Sequence, residues 1–485
     1  MTGNISQGDD NCSSEEDVPD LHPMLASNGI NGYKIDLTDK CNPLPPHTLD
    51  LVSEISRKNS QKRQQNSTTG LSTLMNLLRS NLGVGLLSMP NAIQDAGYIL
   101  GPIGILLMGM LACHCMTILV RCSHALCHHL GVSSLDYADI AELALSYKLG
   151  LKRSSILARY VINMFLIITQ IGMCCTYFLF ISENTARLIV MSGGPYFSTH
   201  TMILYFLPLV ILLSFIRSLK GLSPFTTVAN FCYLFGSVII ITFSIMTIIN
   251  RGGLGEGATP FSSTGYTYAL FFGNVIFAVE GIGVILPIEN KIAKPQLFTP
   301  LLWLTIIIVT LLFTVVGVSG YIAIGSELKP VITLEFPLHI TSPYQVVYPI
   351  AILYLVVGTL GSYVIQFYVP MDIIEPVLLK RVSRKYMKLF FQLLFRASVV
   401  LFTAVIPILI YNIKFLIDLI GACSGSFLAI TIPALLEMII FSGQRRYGLP
   451  FKVWIIKDIF IFTFGFVGAV FGTGLTIFKI VTTET

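Results

Sequence analysis

The amino-acid sequence predicts an all-α, polytopic membrane protein with about eleven transmembrane helices, and three observations lead to this fold class. Of the 485 residues, 54% are hydrophobic and 12% are charged, whereas a soluble domain carries about 25% charged residues. Apolar windows of about 20 residues, the length that crosses a bilayer, recur between residues 71 and 478. Glycines interrupt the first and the sixth window, as in transporters built from inverted repeats.

The apolar windows divide into two sets of five and one extra window. They cover residues 71–93, 99–120, 156–181, 202–216, 225–249, 268–288, 301–324, 346–374, 389–410, 415–441 and 453–478. A transmembrane domain is therefore expected over residues 71–485, with repeat one at about 71–249, repeat two at about 266–441 and an extra helix at about 453–478. Several windows contain Gly, Pro, Ser and Thr, which neighbouring helices must cover, so the helices should form a packed bundle.

The first window contains the segment SNLGVGLLSMP at residues 80–90. Gly83, Val84 and Gly85 remove side-chain bulk from the backbone there, and glycine adopts non-helical backbone angles at little steric cost. The N–H groups freed at the start of the following half-helix, together with its positive dipole end, suit a carboxylate.

The sixth window contains FFGNVIFAVEGIGVILPIENK at residues 271–291, where Gly281 follows Phe277, Ala278, Val279 and Glu280. Carbonyl groups freed at the end of its first half-helix suit an ammonium group. Together the two breaks would bind a zwitterion. The alternative is that the glycines only let helices pack closely; their occurrence at matching places in two halves favours the binding site.

Glu280 lies in the middle of the sixth window. A charged residue at a helix centre costs roughly 2.5–3.5 kcal/mol on insertion scales, against about 0.3–0.6 kcal/mol gained per leucine. A gating, proton-handling or bracing role is predicted, and a protonated carboxyl hydrogen-bonded between helices is the alternative. The other charges in or near windows are Arg79, Arg396 and Asp418; Arg79 and Asp418 lie close to window ends and are interpreted as interfacial.

Lys and Arg residues in the short loops set the expected orientation. With a cytosolic N-terminus, the inner loops carry Arg121, Lys148, Lys152, Arg153, Arg217, Lys220, Lys291, Lys294, Lys380, Arg381, Arg384, Lys385, Lys388, Arg445, Arg446 and Lys452. The outer side keeps only Arg187, Arg251, Lys329, Lys414 and Lys479. The C-terminus is then expected outside the cell or in a lumen. This asymmetry explains the net charge of +5, so a nucleic-acid partner is not expected.

Residues 1–70 are rich in Asp, Glu, Asn, Ser and Pro, and are expected to form a disordered cytosolic tail with an unknown cytosolic partner. No cleaved signal peptide is expected. Eight of the ten cysteines fall in windows or at their inner ends, so no structural disulfide is expected. The CSHALCHH segment at residues 122–129 lacks a second ligand pair at zinc spacing, so no metal and no cofactor are expected.

Long segments of the chain resemble the proton-coupled amino acid transporter family, within the amino acid/auxin permease group. The resemblance rests on the two broken segments and on four further phrases, which are GPIGILLMGMLACHCMTILVRCSHALC (101–127), FLIITQIGMCCTYFLFISEN (165–184), GSYVIQFYVPMDIIEP (361–376) and GACSGSFLAITIPALLE (421–437). It covers the chain from about residue 71 onward. It implies an eleven-span carrier with the leucine-transporter type of five-plus-five inverted repeat.

The resemblance also implies a substrate and its site. The family moves small neutral amino acids, such as glycine, alanine or proline, across a plasma or lysosomal membrane. Its first-span phrase matches here at Asn81, Gly83 and Gly85, among others, and its sixth-span phrase includes Phe277, Glu280 and Gly281. Three further positions fit family phrases and could line the path, or could instead make ordinary interhelical hydrogen bonds: Tyr177, Gln366 and Tyr368.

Three departures from the family pattern bear on coupling and on the outer loops. Asn76 stands where the family has a histidine, and an amide cannot titrate. His114 matches another family histidine and is the candidate substitute, with hydrogen-bonded structure as its alternative. Val84 replaces a threonine, and the loops at 183–201 and 327–344 lack the family's cysteines. Weakly pH-dependent uptake is therefore expected, closer to facilitated exchange than to proton symport.

The sequence thus favours a secondary carrier without covalent catalysis. No GxxxxGK[ST] motif is present, so ATP is not the expected energy source. An amino acid sensor that binds the same ligands without net transport is a competing hypothesis. An ion channel is another, but the sequence contains no selectivity filter or ring of like charges.

Overall fold

The computed structural model describes residues 46–62, 68–148, 150–217, 219–262, 264–338, 346–382, 384–410, 412–442 and 451–484. Within these ranges the regular structure is helical, apart from two isolated backbone bridges, Thr68 with Ile292 and Glu256 with Gly325. The expectation for residues 1–45 lies outside the described residues.

The described residues form sixteen α-helices. They are α1 (Pro46–Lys62), α2 (Gly70–Asn81), α3 (Val84–Ala96), α4 (Leu100–Leu130), α5 (Tyr137–Leu143), α6 (Lys152–Met191), α7 (Thr199–Ser214), α8 (Leu219–Arg251), α9 (Thr267–Val279), α10 (Ile282–Glu289), α11 (Phe298–Ile324), α12 (Val347–Leu378), α13 (Lys385–Leu409), α14 (Ile413–Ile420), α15 (Ile432–Ile440) and α16 (Phe451–Glu484). Two π-helical turns, Gly421–Gly425 and Phe427–Thr431, lie between α14 and α15.

Nine stretches of helix in the described part of the chain are long and apolar enough to cross a membrane. They correspond to predicted spans 2, 3 and 5 to 11; α9 with α10 forms span 6, and α14 with α15 forms span 10. Span 4 is α7, an apolar helix of 16 residues, about 24 Å long at 1.5 Å per residue. Span 1 consists of α2 and α3. The predicted all-helical, multi-pass architecture is confirmed.

Both predicted breaks are present. Span 1 leaves the helical conformation at Leu82 and Gly83, and span 6 leaves it at Glu280 and Gly281. Gly83 has φ −149° and Gly281 has φ −123°, values that any residue can adopt. The expected need for glycine's backbone freedom is therefore not the reason for these glycines. They are required because neighbouring side chains pack closely against them.

Among the nine long apolar stretches of the described residues, span 6 is the most buried: 94% of its apolar window is buried, against 22% for span 9 and 28% for span 11. Span 8 (α12) packs extensively on span 5 (α8) and span 3 (α6). Glycines make the close approaches possible, as small residues do in membranes. A Cβ at Gly361 of span 8 would lie 2.5 Å from the Ala229 Cβ of span 5, and one at Gly320 of span 7 would lie 2.6 Å from Pro90 Cγ of span 1.

Two regions differ from the sequence-based expectation. Residues 46–62, assigned to the disordered tail, form helix α1, because Ile55 is buried in the core and Thr48 Oγ1 lies 2.7 Å from Ser146 Oγ. Residues 182–191, assigned to an outer loop, continue helix α6 to Met191. Ser182, Asn184 and Ala186 are buried, so this extension of the helix packs against the bundle.

Candidate functional site

The two breaks lie against each other in the interior of the bundle. A Cβ at Gly85 would lie 2.6 Å from Ala278 Cα, and one at Gly281 would lie 2.8 Å from Asn81 Oδ1. Real Cβ atoms do not come that close to other atoms, so Gly85 and Gly281 allow the broken segments to touch. The structure therefore brings the predicted residues Asn81, Gly85, Ala278 and Gly281 together.

The second half-helix of each broken span starts after a glycine, which has no side chain to cap it. Gly83 precedes α3 and Gly281 precedes α10, and at the start of α10 the Glu280 carboxyl accepts a hydrogen bond from the Gly283 backbone N–H. By contrast, Thr69 and Ser198 cap α2 and α7 with their side chains. The first N–H groups of a helix carry partial positive charge and need an acceptor, so the buried start of α3 can accept a carboxylate.

Side chains from span 8 donate hydrogen bonds to the carbonyl groups at the end of α2. Ser362 Oγ donates to the Leu82 carbonyl at 2.8 Å, and Gln366 Nε2 donates to the Ser80 carbonyl at 3.1 Å. The predicted residue Gln366 thus lies at the first break and is fully buried. Its Oε1 atom has no hydrogen-bond partner, which leaves one acceptor beside the break.

Tyr177 of span 3 also reaches the first break. Its hydroxyl would lie 2.7 Å from a Cβ at Gly83, and the residue is 4% exposed. Val84, Phe277 and Val279 are buried as well. The predicted binding residues on spans 1, 3, 6 and 8 therefore share one buried region.

Glu280 occupies the second break and is 1% exposed. Gln170 Nε2 of span 3 donates to Glu280 Oε2 at 3.4 Å, which is long for a hydrogen bond. Glu280 Oε1 has no hydrogen-bond partner. The Gly283 backbone N–H also donates to this carboxyl group, and the unpaired Oε1 atom leaves it able to interact with a ligand or accept a proton.

The other two predicted coupling residues lie elsewhere. Asn76 Oδ1 accepts a hydrogen bond from Thr226 Oγ1 of span 5 at 2.9 Å. His114 Nε2 lies 3.1 Å from Lys457 Nζ of span 11, and Lys457 also contacts Glu437 of span 10. The structure brings neither Asn76 nor His114 to the breaks.

Sequence reasoning missed several residues that hold the breaks in place. Ser88 Oγ donates to Asn274 Oδ1 at 2.7 Å and joins the two broken spans. Gln170 and Ser362 were missed too, because only helix rotation decides which polar side chains of spans 3 and 8 face the breaks. Their one sequence signal is a polar residue inside an apolar window.

The interfacial interpretation of Arg79 and Asp418 is wrong. Arg79 is 0% exposed and Asp418 is 1% exposed, because neighbouring spans cover both window ends. Arg79 packs on Tyr233 of span 5, with its Cζ atom 4.3 Å from the ring centroid. Asp418 lies one helical turn from Lys414 on α14.

At both ends of the bundle, ion pairs or hydrogen bonds join the broken spans to neighbouring spans; we call these contacts the ties. At the predicted outer end, Lys414 Nζ lies 3.0 Å from Asp95 Oδ2, which joins span 10 to span 1. At the predicted cytosolic end, His124 Nε2 lies 2.7 Å from Glu289 Oε1, and Lys291 Nζ donates to the Tyr368 hydroxyl at 3.0 Å. The region between these ties is therefore closed from both sides.

Residues 66–478 match the family model described as transmembrane amino acid transporter protein. The proton-coupled amino acid transporter-like protein pathetic of Drosophila melanogaster is 30% identical over 423 residues, which are 85% of this chain and 86% of that protein. The amino acid transporter ANT1 of Arabidopsis thaliana is 28% identical over 56% of this chain and 60% of its own length, so the match spans less than two thirds of that relative.

Two solved transporters share the fold. A Na⁺-coupled sialic acid symporter in a substrate-bound outward-open state is 11% identical with a TM-score of 0.50, over 89% of this chain and 96% of its own. MhsT in complex with L-phenylalanine is 14% identical with a TM-score of 0.50, over 85% of this chain and 99% of its own. At such identities the likeness concerns the fold alone, and it confirms the predicted five-plus-five arrangement of the leucine-transporter type.

Proposed function

Because the chain belongs to the transmembrane amino acid transporter family, we propose that it carries small neutral amino acids of the glycine, alanine and proline type across a plasma or lysosomal membrane. One observation carries this proposal: the uncapped start of α3 meets the end of α9 at a buried contact between two broken spans. A zwitterion matches this pair of helix ends, since its carboxylate suits N–H groups and its ammonium suits carbonyl groups.

The substrate carboxylate binds the free N–H groups that follow Gly83, and the ammonium binds the carbonyls at the end of α9, next to Glu280. Asn81 and Gln366 contribute side-chain amides, and Tyr177 covers the pocket from span 3. The tight contact between Gly85 and Ala278 supports a small substrate, because little space is left beside the breaks.

Transport proceeds by proton symport or by facilitated exchange. The ties at both ends support an alternating-access cycle in which Asp95–Lys414 opens on one side, and His124–Glu289 opens on the other. Of the predicted coupling residues, Glu280 alone lies at the breaks, so any proton coupling acts through it. The N-terminus faces the cytosol, and the C-terminus faces the cell exterior or a lumen.

Uptake of radiolabelled glycine, alanine and proline into cells that express the chain tests the proposal, with competition among the common amino acids. Saturable uptake that unlabelled alanine inhibits, and that alaninamide inhibits poorly for lack of a carboxylate, is the expected result. Uptake inhibited equally by alanine and alaninamide would contradict the binding mode. The family match and the relatives do not favour the sensor alternative.

A further inference from the structure

Arg79 is a buried charge that forms no ion pair with an acidic side chain of the described residues. It lies in the last turn of α2, one helical turn before the first break, and is 0% exposed. Its Nη1 atom donates to the Ala229 carbonyl at 3.2 Å, and its Cζ atom lies over the Tyr233 ring. These contacts occupy one edge and one face of the guanidinium group.

The opposite edge of the guanidinium is unoccupied. Arg79 Nε and Arg79 Nη2 are buried and have no hydrogen-bond partner. The Nε–H and one Nη2–H bond lie side by side on that edge, in the fork that binds a carboxylate or another small anion. Among the ion pairs of the described residues, none includes Arg79.

Arg396 shows how the same bundle treats a second buried arginine. Arg396 is 3% exposed, and its Nε atom lies 2.5 Å from Glu375 Oε1. Its Nη1 atom also donates to the carbonyls of Ser214 and Ile216. Arg396 is balanced by a carboxylate, whereas Arg79 has only neutral partners, which are the Ala229 carbonyl and the ring and hydroxyl of Tyr233.

A buried cation without an anion is costly in a membrane protein. A cation–π contact recovers only about 2 kcal/mol even when it is desolvated, and a carbonyl carries no net charge. The favourable way to balance a single guanidinium is one small monovalent anion, because a larger or divalent anion would bring excess charge into a buried position.

We propose that the free edge of Arg79 binds a small monovalent anion between spans 1, 5 and 8, next to Tyr177 of span 3. Tyr177 lies near both Arg79 and Gly83, and a Cβ at Gly361 of span 8 would lie 3.5 Å from Arg79 Cδ, so the anion site adjoins the first break. The anion is chloride or the carboxylate of the amino acid substrate, and both present the same chemistry to the fork. In the second case one carboxylate oxygen accepts from the N–H groups that follow Gly83 and the other from Arg79. The carboxylate source rests on the proposed function; the chloride source does not.

The test uses the purified full chain and its melting temperature at constant ionic strength, with sodium isethionate as the bulky reference salt. A ligand that binds the folded state raises the melting temperature in a saturable way. Chloride and formate should each raise it by a few degrees in the wild type. In Arg79→Gln the rise should be lost, and in Arg79→Lys it should need about tenfold more formate, because an ammonium lacks the planar fork.

Arg396→Lys is the matched control, since it changes a buried arginine that already has its carboxylate; it should keep the wild-type response to both anions. Alanine and alaninamide distinguish the two sources. A rise with chloride alone identifies chloride. A rise in isethionate with alanine, absent with alaninamide and lost in Arg79→Gln, identifies the substrate carboxylate.

Identical responses to chloride, formate and alanine in wild type, Arg79→Gln and Arg79→Lys would overturn the anion site. Should Arg79→Gln fail to fold, the wild-type anion series and Arg79→Lys still decide the question. Alanine uptake measured on the same wild-type protein keeps the two proposals apart. Uptake without any anion response removes the Arg79 site alone, and an anion response without uptake removes the carrier function alone.

Discussion

The breaks in spans 1 and 6 are alike in sequence but are held differently. Ser362 and Gln366 of span 8 donate to the carbonyls at the end of α2, through neutral hydrogen bonds of 2.8 and 3.1 Å. The second break is held by a carboxyl group, Glu280, which accepts hydrogen bonds from the Gly283 backbone N–H and, at 3.4 Å, from Gln170. The first break is therefore fixed independently of pH, and the second can respond to a proton or to a ligand's ammonium group.

The largest expected effect comes from separating the two breaks. Gly85→Leu places a side chain where the Ala278 Cα would lie 2.6 Å from its Cβ, so the broken spans must move apart. Uptake of radiolabelled alanine should fall at least about a hundredfold, equivalent to about 2.7 kcal/mol, while the protein still reaches the membrane.

Gly474→Leu is the matched control for this change. Gly474 lies on span 11, and a Cβ added there would have no atom of another described helix within 4 Å, so the larger side chain meets open space. Its uptake should equal that of the wild type. Normal uptake by surface-expressed Gly85→Leu would show that contact between the breaks is not needed for binding.

The second effect concerns the break in span 6, which can respond to a proton or to a ligand's ammonium group. Glu280→Gln is nearly isosteric and keeps a hydrogen bond to Gln170, but it cannot ionise. The maximal uptake rate should fall about tenfold, equivalent to about 1.4 kcal/mol, with a much smaller loss of surface expression. Unchanged rates between about pH 5 and 8, the range that brackets an imidazole pKa, would return Glu280 to a packing role.

A third, smaller effect concerns the break held by neutral hydrogen bonds. Ser362→Ala removes the donor to the Leu82 carbonyl, and a buried acceptor left unpaired costs about 1–3 kcal/mol. The melting temperature should fall, and uptake should stay equally pH-dependent. Ser398→Ala is the control, because its exposed hydroxyl only donates within its own helix; an equal loss in both variants would count against a special role for Ser362.

The smallest effect is expected at Asn76, which bonds Thr226 away from the breaks. An imidazole can accept the same hydrogen bond when neutral and titrates near a pKa of about 6.5. Asn76→His should leave uptake almost unchanged at about pH 8, well above that pKa, and lower it slightly on acidification, because a protonated imidazole no longer accepts the Thr226 hydrogen bond. A wild type that already shows steep acid stimulation would contradict the expected weak pH dependence.

Much of the fold could be predicted from the sequence, because bilayer thickness fixes the length of each apolar window. The position of both breaks followed from glycine and from a charged residue inside an apolar run. Helix rotation cannot be read from such windows. For that reason Arg79 was interpreted as interfacial, although spans 5 and 8 bury it, and Gln170 and Ser362 went unnoticed as partners of the breaks.

The reason for the glycines also needed the structure. Gly83 and Gly281 have ordinary backbone angles, and what they provide is room for Tyr177 and Asn81. A one-chain sequence cannot tell a glycine required by backbone conformation from one required by a neighbour on another span. Helix α1 was missed because its apolar residues Leu51, Val52 and Ile55 are few within a polar tail and are buried or partly buried only by packing on the bundle.

The central claim is that the touching breaks bind an amino acid and release it on the other side of the membrane. Counterflow in proteoliposomes that contain the purified chain tests it most directly, with unlabelled alanine inside and radiolabelled alanine outside. A carrier of this kind should show transient accumulation of label above equilibrium, which is saturable and absent in Gly85→Leu. Binding of alanine by the purified chain without any accumulation of label would contradict this claim and would identify a sensor instead of a carrier.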